Sequence, residues 1–65
     1  MQERMNKLME EYYVTFEELA TRLGISKPTL TRKMKGMTDW TYSEMILIAQ
    51  IFNIKDIEGF FFGGE

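Results

Sequence analysis

The chain has 65 residues, 45% of them apolar, and a formal net charge of −2, which predicts one folded domain and excludes a disordered segment. It contains neither cysteine nor histidine, so it has no disulfide framework and lacks the usual zinc ligands, and we expect neither metal nor cofactor. No stretch approaches the roughly 20 apolar residues that span a bilayer, and residues 1–14 lack the apolar core of a signal peptide, so we expect a cytoplasmic protein.

The first two predicted helices are separated by a capping signal. Apolar residues near the start of the chain recur at the i, i+3, i+4, i+7 spacing of a helix face: Met5, Leu8, Met9 and Tyr12. They predict helix 1 over about 2–13. Thr15 and Glu18 have the spacing of a capping box, which predicts helix 2 over about 16–23. Gly24 ends that helix, because glycine accepts the left-handed conformation found after a helix.

Three further helices follow. Ser26 is an N-cap candidate and Pro28 lies in a first turn, where its missing N–H costs nothing; together they predict helix 3 over about 27–35, ending at Gly36. A second capping box, Thr41 with Glu44, predicts helix 4 over about 42–52, and Asn53 is expected to cap its end. A short helix 5 is predicted over about 54–60.

The link between helices 2 and 3 is only three residues long, Gly24-Ile25-Ser26. So short a turn with glycine makes the two helices cross steeply. Ala20 stands where helix 3 should cross helix 2, and a larger side chain there would push them apart. We therefore predict an all-α domain of four to five helices over residues 1–65, with a helix-turn-helix formed by helices 2 and 3.

The basic residues are concentrated around this motif. Residues 21–37 contain no acidic residue and five basic ones, whereas the other 48 residues contain three basic and all ten acidic residues. A block of +5 thus lies within a remainder of −7. Attraction to phosphate requires a local basic face rather than a positive total, so the distribution favours nucleic acid binding. The alternative is an ordinary solvated face, although such faces usually mix signs.

The stretch Phe16–Gly36 resembles the helix-turn-helix of the phage Cro/repressor (XRE-like) family. Asp39–Met45 resembles the segment that opens helix 4 in small Cro-like proteins of Gram-positive phages, and Asn53-Ile54 with the following phenylalanines is similar to their C-terminal end. The resemblance covers nearly the whole chain. It implies a lambda-repressor-like fold, with helix 3 in the major groove of double-stranded DNA. It also implies a homodimer on a palindromic operator, with recognition helices about 34 Å apart.

Leu30 and Met34 are expected to face the core, so the candidate base contacts lie on the opposite side of helix 3, with Thr29 at its edge. They are Lys27, Pro28, Thr29, Thr31 and Arg32. The resemblance implies that all of these except Thr31 approach base edges. Arg32 is suited to a bidentate contact with guanine, and either threonine to contact with a thymine methyl group.

Candidate phosphate contacts flank this helix and include the N-terminal turns of helices 2 and 4. They are Thr15, Phe16, Arg22, Lys33, Lys35 and Tyr42. Two positions depart from the family pattern. Phe16 stands where glutamine is frequent and has no side-chain donor. Lys33 stands where the family is often apolar, and its stem can pack while its ammonium reaches solvent or phosphate. For Tyr42, a solvated or packed ring is as good a prediction as a phosphate donor.

The run Phe60, Phe61 and Phe62 is the feature that folding alone explains least. Three consecutive rings cannot all face one way, so one or two should close the core and at least one should point outward. We predict that this segment forms the homodimer contact. The alternative is an exposed ring at a frayed terminus.

No enzyme is expected, because the sequence has no nucleophile–base pair, no glycine-rich phosphate loop and too short a chain for a roomy pocket for a small-molecule substrate. The leading hypothesis is a phage or prophage transcriptional regulator. The alternative is a helix-turn-helix module that binds protein, such as an antirepressor or antitoxin-like partner, and the pI of about 5.1 and Phe16 favour it. A third possibility, a piece of a longer repressor, is disfavoured by Met1 and the family-like C-terminal end.

Overall fold

The computed structural model describes residues 2–63; Met1 and the last two residues lie outside this range. Within it the protein has five helices and no strand, and this confirms the predicted all-α class. The helices are α1 (Gln2–Tyr12), α2 (Phe16–Leu23), α3 (Lys27–Met34), α4 (Tyr42–Ile51) and α5 (Ile57–Phe62). In residues 2–63 no helix has the length and apolar character needed to cross a membrane.

Side-chain caps set the beginnings of α2, α3 and α4. The Thr15 hydroxyl accepts a hydrogen bond from the Glu18 amide at 3.1 Å, and the Thr15 amide donates to the Glu18 carboxylate at 2.9 Å. Thr41 and Glu44 make the same two bonds at the same distances. Ser26 accepts from the backbone amide of Thr29 at 3.3 Å. These bonds satisfy amides that a helix start leaves unpaired, so the helix boundaries follow from local sequence.

The ends of α1 to α4 share one geometry. In each, a residue with positive φ follows the helix, and the next amide reaches back to a helix carbonyl at 2.8 to 3.0 Å. The residues with positive φ are Tyr13, Gly24, Gly36 and Asn53. Glycine and asparagine tolerate this conformation, but tyrosine does so only at a cost of about 1–2 kcal/mol.

Five side chains are fully buried at the centre of the molecule, and they come from α1, α2, α3, α4 and the residue after α4. They are Met5, Leu19, Leu30, Ile48 and Phe52. Ala20 and Met34 are buried in the same cluster. Because α2 packs on both α3 and α4, the helix-turn-helix is held against the core by one side only, and the outer side of α3 stays free.

The fifth helix begins three residues later than predicted and extends to Phe62. The amide of Ile54 closes the end of α4 by donating to the carbonyl of Ala49 at 2.8 Å. The Asp56 carboxylate then accepts from the Gly59 amide at 3.0 Å and caps α5. The prediction of 54–60 missed this cap, since the residue three positions after Asp56 is Gly59 rather than a glutamate that would mark a capping box. Helices α1, α3 and α4 each end one residue earlier than predicted.

The phenylalanine run divides as its backbone requires. Phe60 and Phe61 are half-buried and pack edge to face, with ring centroids 5.0 Å apart. The Phe61 ring also meets Trp40 at 6.0 Å, and the Arg4 guanidinium lies 5.2 Å from the centre of the Phe60 ring. Phe62 is 66% exposed. Two rings therefore pack on the core, and one points outward.

Candidate nucleic-acid interface

The exposed face of α3 carries the residues predicted to contact bases. Lys27, Pro28 and Arg32 are exposed, while Thr29 and Thr31 are half-buried at its edge. Leu30 and Met34 are buried on the other side. A helix of this kind presents a ridge of polar side chains to whatever approaches it. The major groove of duplex DNA admits one α-helix, so an exposed helix face of this kind is suited to enter it.

Thr29 is oriented by the cap of its own helix. The Ser26 hydroxyl accepts a hydrogen bond from the Thr29 amide and lies 2.9 Å from the Thr29 hydroxyl, to which it donates. The Thr29 side chain is therefore held in one rotamer at the start of α3, with its own hydroxyl hydrogen still free to donate. Such an arrangement fixes a short side chain without exhausting its hydrogen-bonding capacity.

Among the candidate phosphate contacts, Arg22, Lys35 and Tyr42 are exposed, and the Tyr42 side chain is 74% exposed at the first position of α4. The Thr15 hydroxyl is engaged as an N-cap. Phe16 packs half-buried against the core, so only its backbone amide is suited to bind a phosphate. Amides in a first helical turn lack partners within the helix and therefore attract anions.

The predicted placement of Lys33 is corrected by the structure. Its side chain is only 7% exposed, and its ammonium lies 2.8 Å from a carboxylate oxygen of Glu44. The same ammonium donates to the backbone carbonyl of Asp39 at 3.0 Å and lies 6.0 Å from the centre of the Trp40 ring. The charge is thus inside the junction between α3 and α4. The predicted phosphate contact assumed that the ammonium would reach the surface.

Glu44 is the functional candidate that sequence reasoning treated as a cap alone. Burial by itself would raise the pKa of Glu44. The hydrogen bond and charge of Lys33, together with the backbone hydrogen bond from Thr41, outweigh burial and lower this pKa. Glu44 is therefore ionised at neutral pH, and its charge is balanced by Lys33. The sequence contains one signal of this placement. Lys33 stands three residues after Leu30, and residues at that spacing lie on the same side of a helix, which here faces the core.

The two proposed phosphate-binding helix ends differ in charge. The first turn of α2 contains Glu17 and Glu18, and the hydrogen bond from the Thr15 backbone lowers the pKa of Glu18. Negative charge at that end opposes a phosphate. The first turn of α4 contains only Glu44 as an acidic residue, and Lys33 compensates it. The start of α4 is therefore the more favourable anion site.

After this pairing, the exposed positive charge of residues 21–37 comes from four side chains on α2, on α3 and just after α3. They are Arg22, Lys27, Arg32 and Lys35. No acidic residue lies among them in sequence. All four exposed charges therefore lie on or directly after the two helices of the helix-turn-helix, a distribution that is suited to a polyanion.

A family model described as the Cro/C1-type HTH DNA-binding domain matches residues 4–59. The matched range contains α2, α3 and α4 whole. It agrees with the family expected from the stretch Phe16–Gly36. Neither the comparison with curated proteins nor that with solved structures found a match.

Proposed function

The chain belongs to the family of Cro/C1-type helix-turn-helix DNA-binding domains, and from this premise we propose that it is a phage or prophage transcriptional regulator that binds duplex DNA sequence-specifically. The family is regulatory and non-enzymatic. The observation that carries the proposal is the exposed face of α3, where Lys27 and Arg32 project from a helix whose other side is buried. In the cytoplasm such a domain acts by occupying promoter DNA.

In this proposal α3 enters the major groove. Arg32 donates two hydrogen bonds to the O6 and N7 atoms of a guanine, which discriminates that base from the others by about 1–3 kcal/mol. Lys27, Pro28 and Thr29 meet base edges at the N-terminal end of the helix, and Thr31 lies beside them. Thr29 is supported by its hydrogen bond with Ser26, so its contact requires little further ordering.

Phosphate contacts fix the domain on the duplex without reading sequence. Lys35 and Arg22 are exposed beside the recognition helix and supply charge. The first turn of α4 supplies backbone amides, with the Tyr42 hydroxyl as a further donor. Thr15 caps the start of α2 with both its amide and its hydroxyl, so it supports a phosphate contact there only through the backbone amide of Phe16. Glu17 and Glu18 weaken that contact.

Dimerisation is the remaining part of the proposal. Phe62 is 66% exposed, and it lines one surface cleft together with Trp40, Met45 and Phe61. A second copy that places its own Phe62 in this cleft would bury these apolar groups on both sides, as a two-fold interface requires. The resulting homodimer would match a palindromic operator with half-sites about one DNA turn apart.

Random-site selection on duplex DNA at moderate salt tests the proposed function. We expect recovery of a palindrome, because a two-fold dimer with one recognition helix per subunit reads two inverted half-sites. Enrichment of no sequence contradicts sequence-specific binding.

A second candidate function is a protein-binding module of the same fold. The acidic pI of about 5.1 and the packing of Phe16 against the core, in place of a polar donor, favour it. Under this alternative Lys27, Arg32 and Lys35 are dispensable for binding the partner. Failure of the selection, together with retention of partner binding in variants of these residues, supports it.

A further inference from the structure

The junction between α3 and α4 is organised around one carboxylate oxygen. The Oε1 atom of Glu44 accepts a hydrogen bond from the Lys33 ammonium at 2.8 Å and another from the Thr41 amide at 2.9 Å. The Lys33 ammonium also donates to the carbonyl of Asp39 at 3.0 Å. Recognition helix, loop and the first turn of α4 are therefore joined through two side chains.

Stability alone does not account for a buried ion pair at this place. Desolvation of two charges offsets most of their attraction, and a well-packed apolar pair of similar volume often gives an equal or larger free energy of unfolding. An ion pair with additional hydrogen bonds contributes geometric specificity instead, since it fixes the distance between the partners and the rotamer of each. The pair therefore suits a role in positioning.

The elements that it joins are those that the proposed function uses together. The exposed face of α3 carries Arg32, which precedes Lys33 directly, and the start of α4 carries Tyr42 and Ser43, both exposed. The loop between them has neither helix nor hydrogen-bonded turn from Met37 to Thr41. Apolar packing of α2 on both helices holds α3 and α4 together at the core, and the Lys33–Glu44 pair adds a directional link directly across the loop.

The balance of charge between Lys33 and Glu44 also supports a positioning role. An uncompensated carboxylate in the first turn of α4 would repel a phosphate at that helix end. Lys33 cancels this repulsion from the buried side of the helix end. Its side chain is only 7% exposed, and its ammonium donates to Glu44 and to the carbonyl of Asp39.

We infer that Lys33 and Glu44 are positioning residues that hold the recognition helix and the N-terminal turn of α4 in one fixed relation, so that base and phosphate contacts are made together. The inference rests on the proposed function and adds to it the residues that set its geometry. It also assigns Lys33 a part in DNA binding that requires no contact with DNA.

The test compares the double variant Lys33→Met/Glu44→Gln with Lys35→Met, which removes an exposed charge beside the same helix. Glutamine keeps the side-chain oxygen that caps α4, and methionine fills the volume of the lysine stem, so the double variant removes both charges without a buried unpaired ion. Affinity for the selected duplex and for an unrelated duplex is measured from 50 to 300 mM salt, with urea unfolding of each variant as the folding control.

For the double variant we expect a salt slope equal to that of the unmodified chain and a loss of about tenfold in preference for the selected duplex. Lys35→Met should instead reduce the slope by about one and weaken both duplexes alike. A slope reduced by about one in the double variant would make Lys33 a phosphate contact and overturn the inference. Unchanged preference overturns it as well.

Failure of the proposed function is distinguishable, because then the unmodified chain itself prefers no duplex. That result removes the inference together with its premise.

Discussion

Tyr13 adopts a left-handed backbone conformation that is unfavourable for a residue with a large side chain. It has φ of +55° and is 91% exposed, so no packing of its ring compensates the strained backbone. We expect Tyr13→Gly to raise the free energy of unfolding by about 1 kcal/mol, the lower end of the cost of left-handed backbone for an L-residue. Urea unfolding measures this change.

Gly24 provides the matched control for Tyr13. It has φ of +73°, and a Cβ atom built there would meet nothing within 4 Å. The whole effect of Gly24→Ala is therefore backbone strain, and we expect a loss of about 1–2 kcal/mol. We thus expect Tyr13→Gly to stabilise and Gly24→Ala to destabilise the fold. A change in the same direction for both would contradict the positive φ at the helix end as the cause of these effects.

Glu44 makes stability depend on pH in a defined direction. Its pKa is lowered in the folded chain, by interactions with Lys33 and Thr41 that outweigh burial. The unfolded chain therefore binds more protons in the acid range. The contribution of Glu44 is complete above pH 4.5, the ordinary pKa of a glutamate, and it is lost as the pH falls through the lowered value.

Urea unfolding of Glu44→Gln between pH 7 and pH 3 measures this contribution. We expect the variant to be less stable than the unmodified chain at pH 7, and the difference to shrink as the pH falls, because protonation of Glu44 weakens the same ion pair. Glu10→Gln, a change of an exposed side chain on α1, is the control. A difference between Glu44→Gln and the unmodified chain that stays constant with pH would contradict the assigned role of the ion pair.

At the scale of helices, the elements were predictable where their signals are local. The capping boxes Thr15–Glu18 and Thr41–Glu44 each lie within four residues, so α2 and α4 begin where the sequence predicts. The start of α5 was missed because Ile54 is used to close α4, which depends on the chain before it. The contact of Lys33 with Glu44 joins residues 11 apart across a loop, and no helical periodicity reveals such a pair.

The crossing of α2 and α3 gives a prediction at this scale. Ala20 is buried at 3% exposure in the cluster that also contains Leu30. We expect Ala20→Leu to destabilise the fold by about 1–3 kcal/mol, because the added atoms overpack the core. The matched change Thr21→Leu is on the exposed side of α2 and should have little effect. Equal urea midpoints for the two variants would contradict a tight crossing at Ala20.

At the scale of the whole molecule, the proposed homodimer depends on the ring of Phe62, which points outward. Sedimentation of Phe62→Ser should show a smaller dimer fraction, because the substitution removes apolar area from the proposed interface. Tyr13→Ser removes another exposed aromatic ring and should leave the dimer fraction unchanged. A dimer fraction unaffected by Phe62→Ser, or reduced equally by both changes, would contradict an interface at the C-terminal segment.

The candidate site was only partly predictable from sequence. The exposed face of α3 follows from helical periodicity around Leu30 and Met34. The distribution of charge was harder to predict, because residues 21–37 contain five basic residues and no acidic one. Periodicity places Lys33 on the inner side of α3, but it does not show that the ammonium pairs with Glu44 instead of reaching the surface. Four exposed basic side chains remain on or beside α2 and α3, and we propose that Arg32 is the one that reads a base.

Random-site selection carried out in parallel with the unmodified chain, Arg32→Ala and Lys7→Ala tests that claim most directly. Lys7 is exposed on α1 and serves as the control for loss of a positive charge. We predict a palindrome for the unmodified chain and for Lys7→Ala. Arg32→Ala should lose the preference at one base pair of each half-site, at a cost of about 1–3 kcal/mol. The same palindrome from Arg32→Ala, or no enriched sequence from the unmodified chain, would contradict base reading by α3.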